Sequence, residues 1–357
     1  MTVFIIAEAG VNHNGDVDMA LALVDEAARA GADAVKFQTF RADQVASAHA
    51  LKARYQRETT AGGDDQLAML RRLELSPQSH HTLAARCRQR GIEFMSTPFD
   101  LPSLRLLVEE IGVGRLKIPS GEITNGPMLA AVAATGRPVL LSTGMSTLEE
   151  IAEALGVLET VWTTGAPPRP GRPPARPASF AALANRVTLL QCTTEYPAPV
   201  DEINLRVLDT LRSIFGLPVG FSDHSEGILI PAAAVACGAT VIEKHFTLDR
   251  SLPGPDHRAS ITPGELVGMV ADIRTIERAL GSAAKTPTAS ERPNLAVARR
   301  SLVAARAIAR GELFSADNLT AKRPAGGLSP MRFWDLLGRP AGRAYQPDQA
   351  IDGGEPA

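Results

Sequence analysis

Read for hydrophobic and polar positions, the chain shows eight short runs that are apolar at most positions and end in polar residues or glycine. They are VFIIAEAG (3–10), AVKFQTF (34–40), EFMSTPF (93–99), RLKIPSGE (115–122), PVLLSTGM (138–145), VTLLQCTTEY (187–196), PVGFSDH (218–224) and VIEKHFT (241–247). Continuous rather than alternating apolar character marks strands covered on both faces, which predicts a parallel sheet. Most runs are followed by stretches rich in Ala, Leu, Glu and Arg, such as Val17–Ala30 and Thr147–Thr160, with the composition and length of helices. Strand and helix repeated eight times predict an α/β fold of the (β/α)8 TIM barrel type, usually about 250 residues, and residues 1–280 fit it. An open doubly wound sheet is the alternative. The even number of runs and the absence of a glycine-rich dinucleotide fingerprint after the first count against it.

Past the barrel the pattern changes. Residues 281–293 (GSAAKTPTASERP) are small and polar and predict a linker. Residues 294–357 hold short β-like runs, RRSLVAARAI and NLTAKRP, and predict a small, mostly β domain, marginal by itself. Within the barrel, Gly165–Ser179 (GAPPRPGRPPARPAS) cannot pack a core and predicts a disordered excursion between helix and strand.

The polar endings of the runs carry the candidate chemistry. Active sites of such barrels sit at the C-terminal ends of the strands. There this chain has Glu8, Lys36 and Gln38, Thr97, Lys117 with Ser120 and Glu122, Ser142, Tyr196, Ser222 with His224, and Glu243 with His245. The richest stretch is Val241–Ser260, where a loop stiffened by Pro253 and Pro255 carries Asp249, Arg250, Asp256 and His257. His224 and His245 end neighbouring strands and suit a divalent transition metal, the alternative being two core histidines bonded to backbone carbonyls. Lys36 and Lys117, with the hydroxyls of Thr97, Ser120, Ser142 and Ser222, suit a phosphate or phosphate-plus-carboxylate ligand. The alternative is ion pairing with Glu8, Glu122 and Glu243. Schiff-base chemistry at a lysine is the less economical reading. Glu8 and Glu122 suit acid, base or hydroxyl-binding roles. Cys192 reads as a small buried residue rather than a nucleophile. The barrel mouth shows no free arginine.

Composition narrows the classes further. Hydrophobic content of 45% and charged content of 21% describe a globular protein, and a net charge of −2 gives no reason to expect nucleic acid or an anionic membrane as partner. Three scattered cysteines, Cys87, Cys192 and Cys237, do not make a disulfide framework and fit reducing cytoplasm. No stretch approaches a membrane span, and MTVFIIAEAG lacks the regions of a signal peptide.

The motifs AEAGVNHNGD (7–16), GADAVKFQTF (31–40), STPFD (96–100), KIPSGEITN (117–125), LSTGM (141–145), CTTEYPAP (192–199), GFSDHSEG (220–227) and EKHFTLDRSLPGPDH (243–257), with RRSLVAA and NLTAKRP later, resemble the bacterial sialic-acid synthase family. That family comprises N-acetylneuraminate synthase and its legionaminate and pseudaminate relatives. The resemblance spans nearly the whole chain and implies a TIM barrel followed by an antifreeze-like (SAF) domain. It implies condensation of phosphoenolpyruvate with the open-chain aldehyde of an unphosphorylated N-acetylated amino sugar, either N-acetylmannosamine or a 2,4-diacetamido-6-deoxy hexose. A keto-deoxy sugar phosphate synthase and a non-catalytic sugar-binding barrel are the alternatives.

By the same resemblance His224 and His245 would hold a divalent metal, Mn²⁺ foremost. Lys36, Thr97, Lys117, Ser120, Ser142 and Ser222 would bind phosphoenolpyruvate. Gln38, Glu122, Tyr196 and Asp256 would grip the sugar, and Glu8 and Glu243 would be carboxylates near the metal and the attacking water. The neuraminate-forming branch carries Asn at the position of Thr194, so this sugar-side position leaves the acceptor open. Arg323 in NLTAKRP would reach the barrel of a partner subunit in a domain-swapped homodimer. Family members commonly carry a segment ahead of the first strand that covers the barrel floor. Here the strand starts almost at Met1, so the expectation is an open floor or a late start.

Overall fold

The structure, a computed structural model, describes residues 2–47, 49–60, 65–169 and 180–352. All eight expected strands form: β1 (Phe4–Gly10), β2 (Ala34–Thr39), β3 (Glu93–Pro98), β4 (Leu116–Ile118), β5 (Val139–Ser142), β6 (Val187–Gln191), β7 (Val219–Asp223) and β8 (Val241–His245). Their order in the sheet is β3-β2-β1-β8-β7-β6-β5-β4, every ladder is parallel, and β3 lies against β4 to close the ring. This is the expected (β/α)8 barrel rather than the open sheet.

The helices begin and end where local chemistry dictates. Helix Val17–Ala30 starts at Asp16, whose carboxylate accepts from the N–H groups of Asp18 and Met19, and stops where Gly31 turns left-handed (φ 79°). The helix expected at Thr147–Thr160 runs Leu148–Thr164, with Thr147 and Glu150 forming a capping box. Two runs end earlier than their apolar pattern suggests. β4 stops at Ile118 because Pro119 offers no N–H, and Ser120–Glu122 is a single 3-10 turn. β6 stops at Gln191, so the residues up to Tyr196 belong to a loop. Between β2 and helix Pro77–Arg90 the chain makes an excursion with three short helices, Ala42–Val45, Arg54–Thr59 and Gln66–Leu73, which the pattern did not reveal.

Side chains alternate between two cores. Ile5, Ala7 and Ala9 of β1 face outward into the large core shared with the helices, while Ile6 faces the axis. On the axis Ile6, Ala34, Met95, Leu140, Leu190 and Val241 form a closed apolar layer, with Phe4 packed against it. Truncating a side chain this deeply buried costs about 2–5 kcal/mol. The layer floors the barrel, and the position two residues further along each strand faces the same axis just above it.

The chain divides into two compact units, Met1–Gly281 and Ser282–Ala357. The second has an antiparallel pair, β9 (Ser301–Ala304) and β10 (Leu319–Lys322). Its own core is built from Leu302, Ile308, Phe314, Leu319, Tyr345 and Ile351. Of the proline-rich stretch 165–179, residues 170–179 lie outside the described residues, and so does that expectation.

Candidate active site

Stepping two residues up from the apolar layer converts Ile6 to Glu8, Ala34 to Lys36, Met95 to Thr97, Leu140 to Ser142, Leu190 to Cys192 and Val241 to Glu243. Lys117 of β4 and Ser222 of β7 join them, and all of these side chains line one cavity of about 470 Å³. The chemistry therefore follows from strand periodicity: the same face is apolar at one level and ionisable at the next.

The ionisable groups are buried and mutually paired. Lys36 forms an ion pair with Glu8, lies 3.5 Å from Glu243 and donates to Thr97 Oγ1 at 3.1 Å. Lys117 Nζ donates to Glu243 Oε1 at 2.9 Å, and Ser222 Oγ donates to the same oxygen at 2.8 Å. Burial alone would raise the Glu243 carboxyl, but the ammonium groups of Lys117 and Lys36 outweigh it and hold Glu243 well below the usual carboxylate range. Burial also opposes the charge on Lys36. Glu243 and Glu8 more than offset this, so its pKa lies above the ordinary value. Glu8 goes the other way: burial, aided by the nearby Glu243 charge, raises it to about 7 against the pull of Lys36. The expected lysine partners Glu8 and Glu243 are thus correct.

Glu122 is not one of those partners, and the catalytic and sugar-gripping roles expected for it are not supported by its position. It lies in the turn after β4, accepts from Asn125 Nδ2 at 2.6 Å, and is not among the residues lining the cavity. Pro119 ends the strand too early for the alternation to carry Glu122 inward.

Ser120 Oγ sits within 3.1 Å of Cys192 Sγ and accepts from the Gly144 N–H at 3.0 Å. Gly144 is required there, because a Cβ would lie 2.3 Å from Thr194 Oγ1 and 2.8 Å from Ser120 Oγ. Ser142 Oγ and Thr194 Oγ1 line the cavity, are buried, and lack a hydrogen-bond partner among the described residues. Buried hydroxyls without partners cost free energy, and a ligand's oxygens would satisfy them.

His224 and His245 lie side by side, ring centroids 5.6 Å apart. His224 Nδ1 donates to the Thr193 carbonyl at 2.6 Å, which leaves its Nε2 lone pair available. Burial lowers His224 to about 4, despite the carbonyl, and drives His245 well below the ordinary histidine value, with His224 and Lys36 adding to the effect. Both imidazoles are therefore neutral at pH 7 and competent as ligands, and His245 Nδ1 has no hydrogen-bond partner among the described residues. Among those residues no set of three or more His, Cys, Asp or Glu side chains converges as a metal cage. The pair fits a divalent ion whose other ligands are water or substrate oxygens. Tyr196 fixes both rings, stacking on His224 at 4.1 Å and meeting His245 edge-on at 5.6 Å.

Of the ionisable residues in the loop after β8 only Asp256 reaches the cavity, where burial pushes it up to about 7. Arg250 instead pairs with Glu265 at 2.6 Å, Asp249 accepts from Ser251, and His257 is held by Thr247 at 2.6 Å and Asn14 at 3.2 Å. Gln38 lines the cavity as expected. Arg323 follows β10 in the second unit and is exposed.

The mouth carries an arginine that the sequence reading did not place: Arg54 lines the cavity, with Tyr55 and Gln56, all from helix Arg54–Thr59. Tyr55 packs 4.9 Å from Tyr196. The signal for this wall was the aromatic and amide cluster RYQ ahead of the amphipathic QLAMLRRL, in a segment too short in period to read as a barrel element.

A family model described as the NeuB family matches residues 23–285, and one described as the SAF domain matches residues 299–353. The chain is 48% identical to an N,N'-diacetyllegionaminic acid synthase of Campylobacter jejuni, over 97% of this chain and 98% of that one. It is 45% identical to a protein of the same description from Legionella pneumophila, over 95% and 90%. It resembles the crystal structure of an N-acetylneuraminic acid synthetase from Leptospira borgpetersenii in complex with citrate. That match has a TM-score of 0.67 and 36% identity, covering 83% of this chain and 90% of that one.

Proposed function

The chain belongs to the NeuB family, and from that premise we propose that it is a sialic-acid-type synthase. It condenses phosphoenolpyruvate with an unphosphorylated N-acetylated amino sugar to give a nine-carbon 2-keto-3-deoxy acid and inorganic phosphate. The observation that carries this reading is the polar layer of the barrel. Two lysines and a set of hydroxyls, two of them without a partner among the described residues, share one cavity with two neutral imidazoles.

Lys36 and Lys117 hold the anionic groups of phosphoenolpyruvate, and the hydroxyls of Thr97, Ser120, Ser142 and Ser222 orient its oxygens. Phosphoenolpyruvate C3 forms a bond to the aldehyde carbon while the aldehyde oxygen takes a proton and becomes a hydroxyl. C2, left electron-poor, is captured by water, and the resulting tetrahedral carbon expels phosphate by C–O cleavage. Glu8, with a pKa of about 7, suits the general base that takes the proton from that water. Glu243 acts by positioning the two lysines. His224 and His245 would hold a divalent ion, Mn²⁺ being our choice, which when bound polarises the aldehyde oxygen. Gln38, Thr194, Tyr196 and Asp256 face the acceptor sugar.

Two relatives at 48% and 45% identity are named as diacetyllegionaminic acid synthases. They favour a 2,4-diacetamido-6-deoxy hexose over N-acetylmannosamine as the acceptor. We also propose a domain-swapped homodimer in which Arg323 completes the partner's site, and a cytoplasmic location, in keeping with three unpaired cysteines. Among the described residues no helix is long and apolar enough to cross a membrane.

Phosphate release measured against a panel of acceptors tests the assignment. Turnover with one or both N-acetylated sugars is expected. Turnover only with a phosphorylated tetrose or pentose would overturn it.

A further inference from the structure

The cavity has two chemically different sides, and the reaction proposed above uses only the polar one. Val11, Phe40, Met69, Leu70, Leu73 and Phe99 form an apolar cluster separate from the barrel core, and every member lines the cavity. They come from the segments following β1, β2 and β3 and from helix Gln66–Leu73, beyond the polar layer in the direction of the mouth. Phe40 and Phe99 meet edge to face, ring centroids 6.2 Å apart, so this side of the wall has a defined shape. Apolar surface left facing a cavity gains when a ligand's apolar groups cover it.

The acceptor's reacting aldehyde must lie at the floor, against the phosphoenolpyruvate held by Lys36 and Lys117 and near the paired imidazoles. The rest of the sugar then extends outward, and the substituents of its far half, from C4 onward, meet the apolar wall. A phosphate or a row of hydroxyls set against these six side chains would lose hydration without gaining partners from them. An acetamido group ends in a methyl that such a wall accepts.

Resting on the synthase reading, we propose that this wall is the subsite that selects the acceptor. It takes the acetyl methyl of the acetamido group remote from the aldehyde, and Leu70 is a specificity-determining residue. Tyr55, packed on Tyr196, lines the same cavity as the wall. Helix Arg54–Thr59 is tied to the opposite rim by Thr59 Oγ1, which donates to the Pro255 carbonyl at 3.2 Å. The excursion between β2 and helix Pro77–Arg90 therefore contributes to specificity together with Val11 and Phe99, while the polar layer supplies the chemistry.

The test compares kcat/KM for a 2,4-diacetamido hexose with kcat/KM for N-acetylmannosamine in the wild type, Leu70→Asn and Leu70→Ala. Leu70 is half-buried, and the alanine variant keeps the test decidable if the polar one misfolds. A methyl seated on an apolar wall discriminates by about tenfold or more, so the wild type should prefer the diacetamido sugar and the ratio should fall by about that factor in Leu70→Asn, less in Leu70→Ala. A ratio unchanged to within about twofold in both variants, or a wild type that prefers N-acetylmannosamine, overturns the subsite and leaves the synthase reading standing. A wild type that consumes phosphoenolpyruvate with neither sugar overturns both.

Discussion

Replacing Glu243 by Gln isolates the electrostatic centre of the site. The carboxylate accepts from Lys117 at 2.9 Å and from Ser222 at 2.8 Å, and lies 3.5 Å from Lys36. Gln keeps the shape and one acceptor oxygen but turns the other into an N–H donor facing an ammonium group. Two buried lysines then share the single carboxyl of Glu8. Removing one partner of a buried ion pair costs about 3–5 kcal/mol, which for a domain of this size is about 10 °C in melting temperature. An anion entering the cavity replaces the missing charge, so inorganic phosphate should rescue the variant more than it stabilises the wild type. At a phosphate concentration one hundred times Kd the gain is about 2.7 kcal/mol, enough to recover most of the loss. The assay is thermal unfolding of both proteins across a phosphate titration, with turnover measured in parallel and expected to be lost in the variant. A variant that melts within about 2 °C of the wild type, or phosphate that stabilises both proteins equally, would refute the picture of a charged lysine pair held by Glu243.

Two further outcomes follow from the histidine pair and the second unit. Prolonged chelation should abolish turnover and Mn²⁺ should restore it, while His224→Ala and His245→Ala proteins should bind less Mn²⁺ by direct metal analysis; full activity with no metal bound would remove both histidines from that role. Refolding Arg323→Ala together with His224→Ala should recover roughly a quarter of the sites if Arg323 acts across a twofold dimer, because half the dimers are mixed and each has one intact site; a mixture that stays inactive would place Arg323 outside the partner's site.

Much of the barrel is legible in the sequence because a barrel strand obeys one rule at every level. Runs such as AVKFQTF are buried on both faces, and inward positions recur every two residues, so spacing alone assigns Lys36 and Gln38 to the same axis as Glu8 and Glu243. The rule fails where the strands stop. Pro119 ends β4 before Glu122, which is why that carboxyl engages Asn125 rather than the cavity. It also says nothing about the excursion between β2 and helix Pro77–Arg90, whose short helices, Ala42–Val45, Arg54–Thr59 and Gln66–Leu73, hold no sustained period. Tyr55, Arg54 and the part of the apolar wall on helix Gln66–Leu73 escape a reading by periodicity for that reason. Charge content likewise points to the whole loop after β8, although only Asp256 of its charged residues turns into the cavity.

The central claim is that one active site joins phosphoenolpyruvate C3 to an aldehyde and then breaks the C2–O bond. Phosphoenolpyruvate carrying ¹⁸O in the oxygen that bridges C2 and phosphorus tests this directly, with products separated and weighed by mass spectrometry. The expected result is a nine-carbon keto acid formed together with phosphate that contains the ¹⁸O. Unlabelled phosphate released beside the condensed product, or phosphate released without any nine-carbon acid, would contradict it.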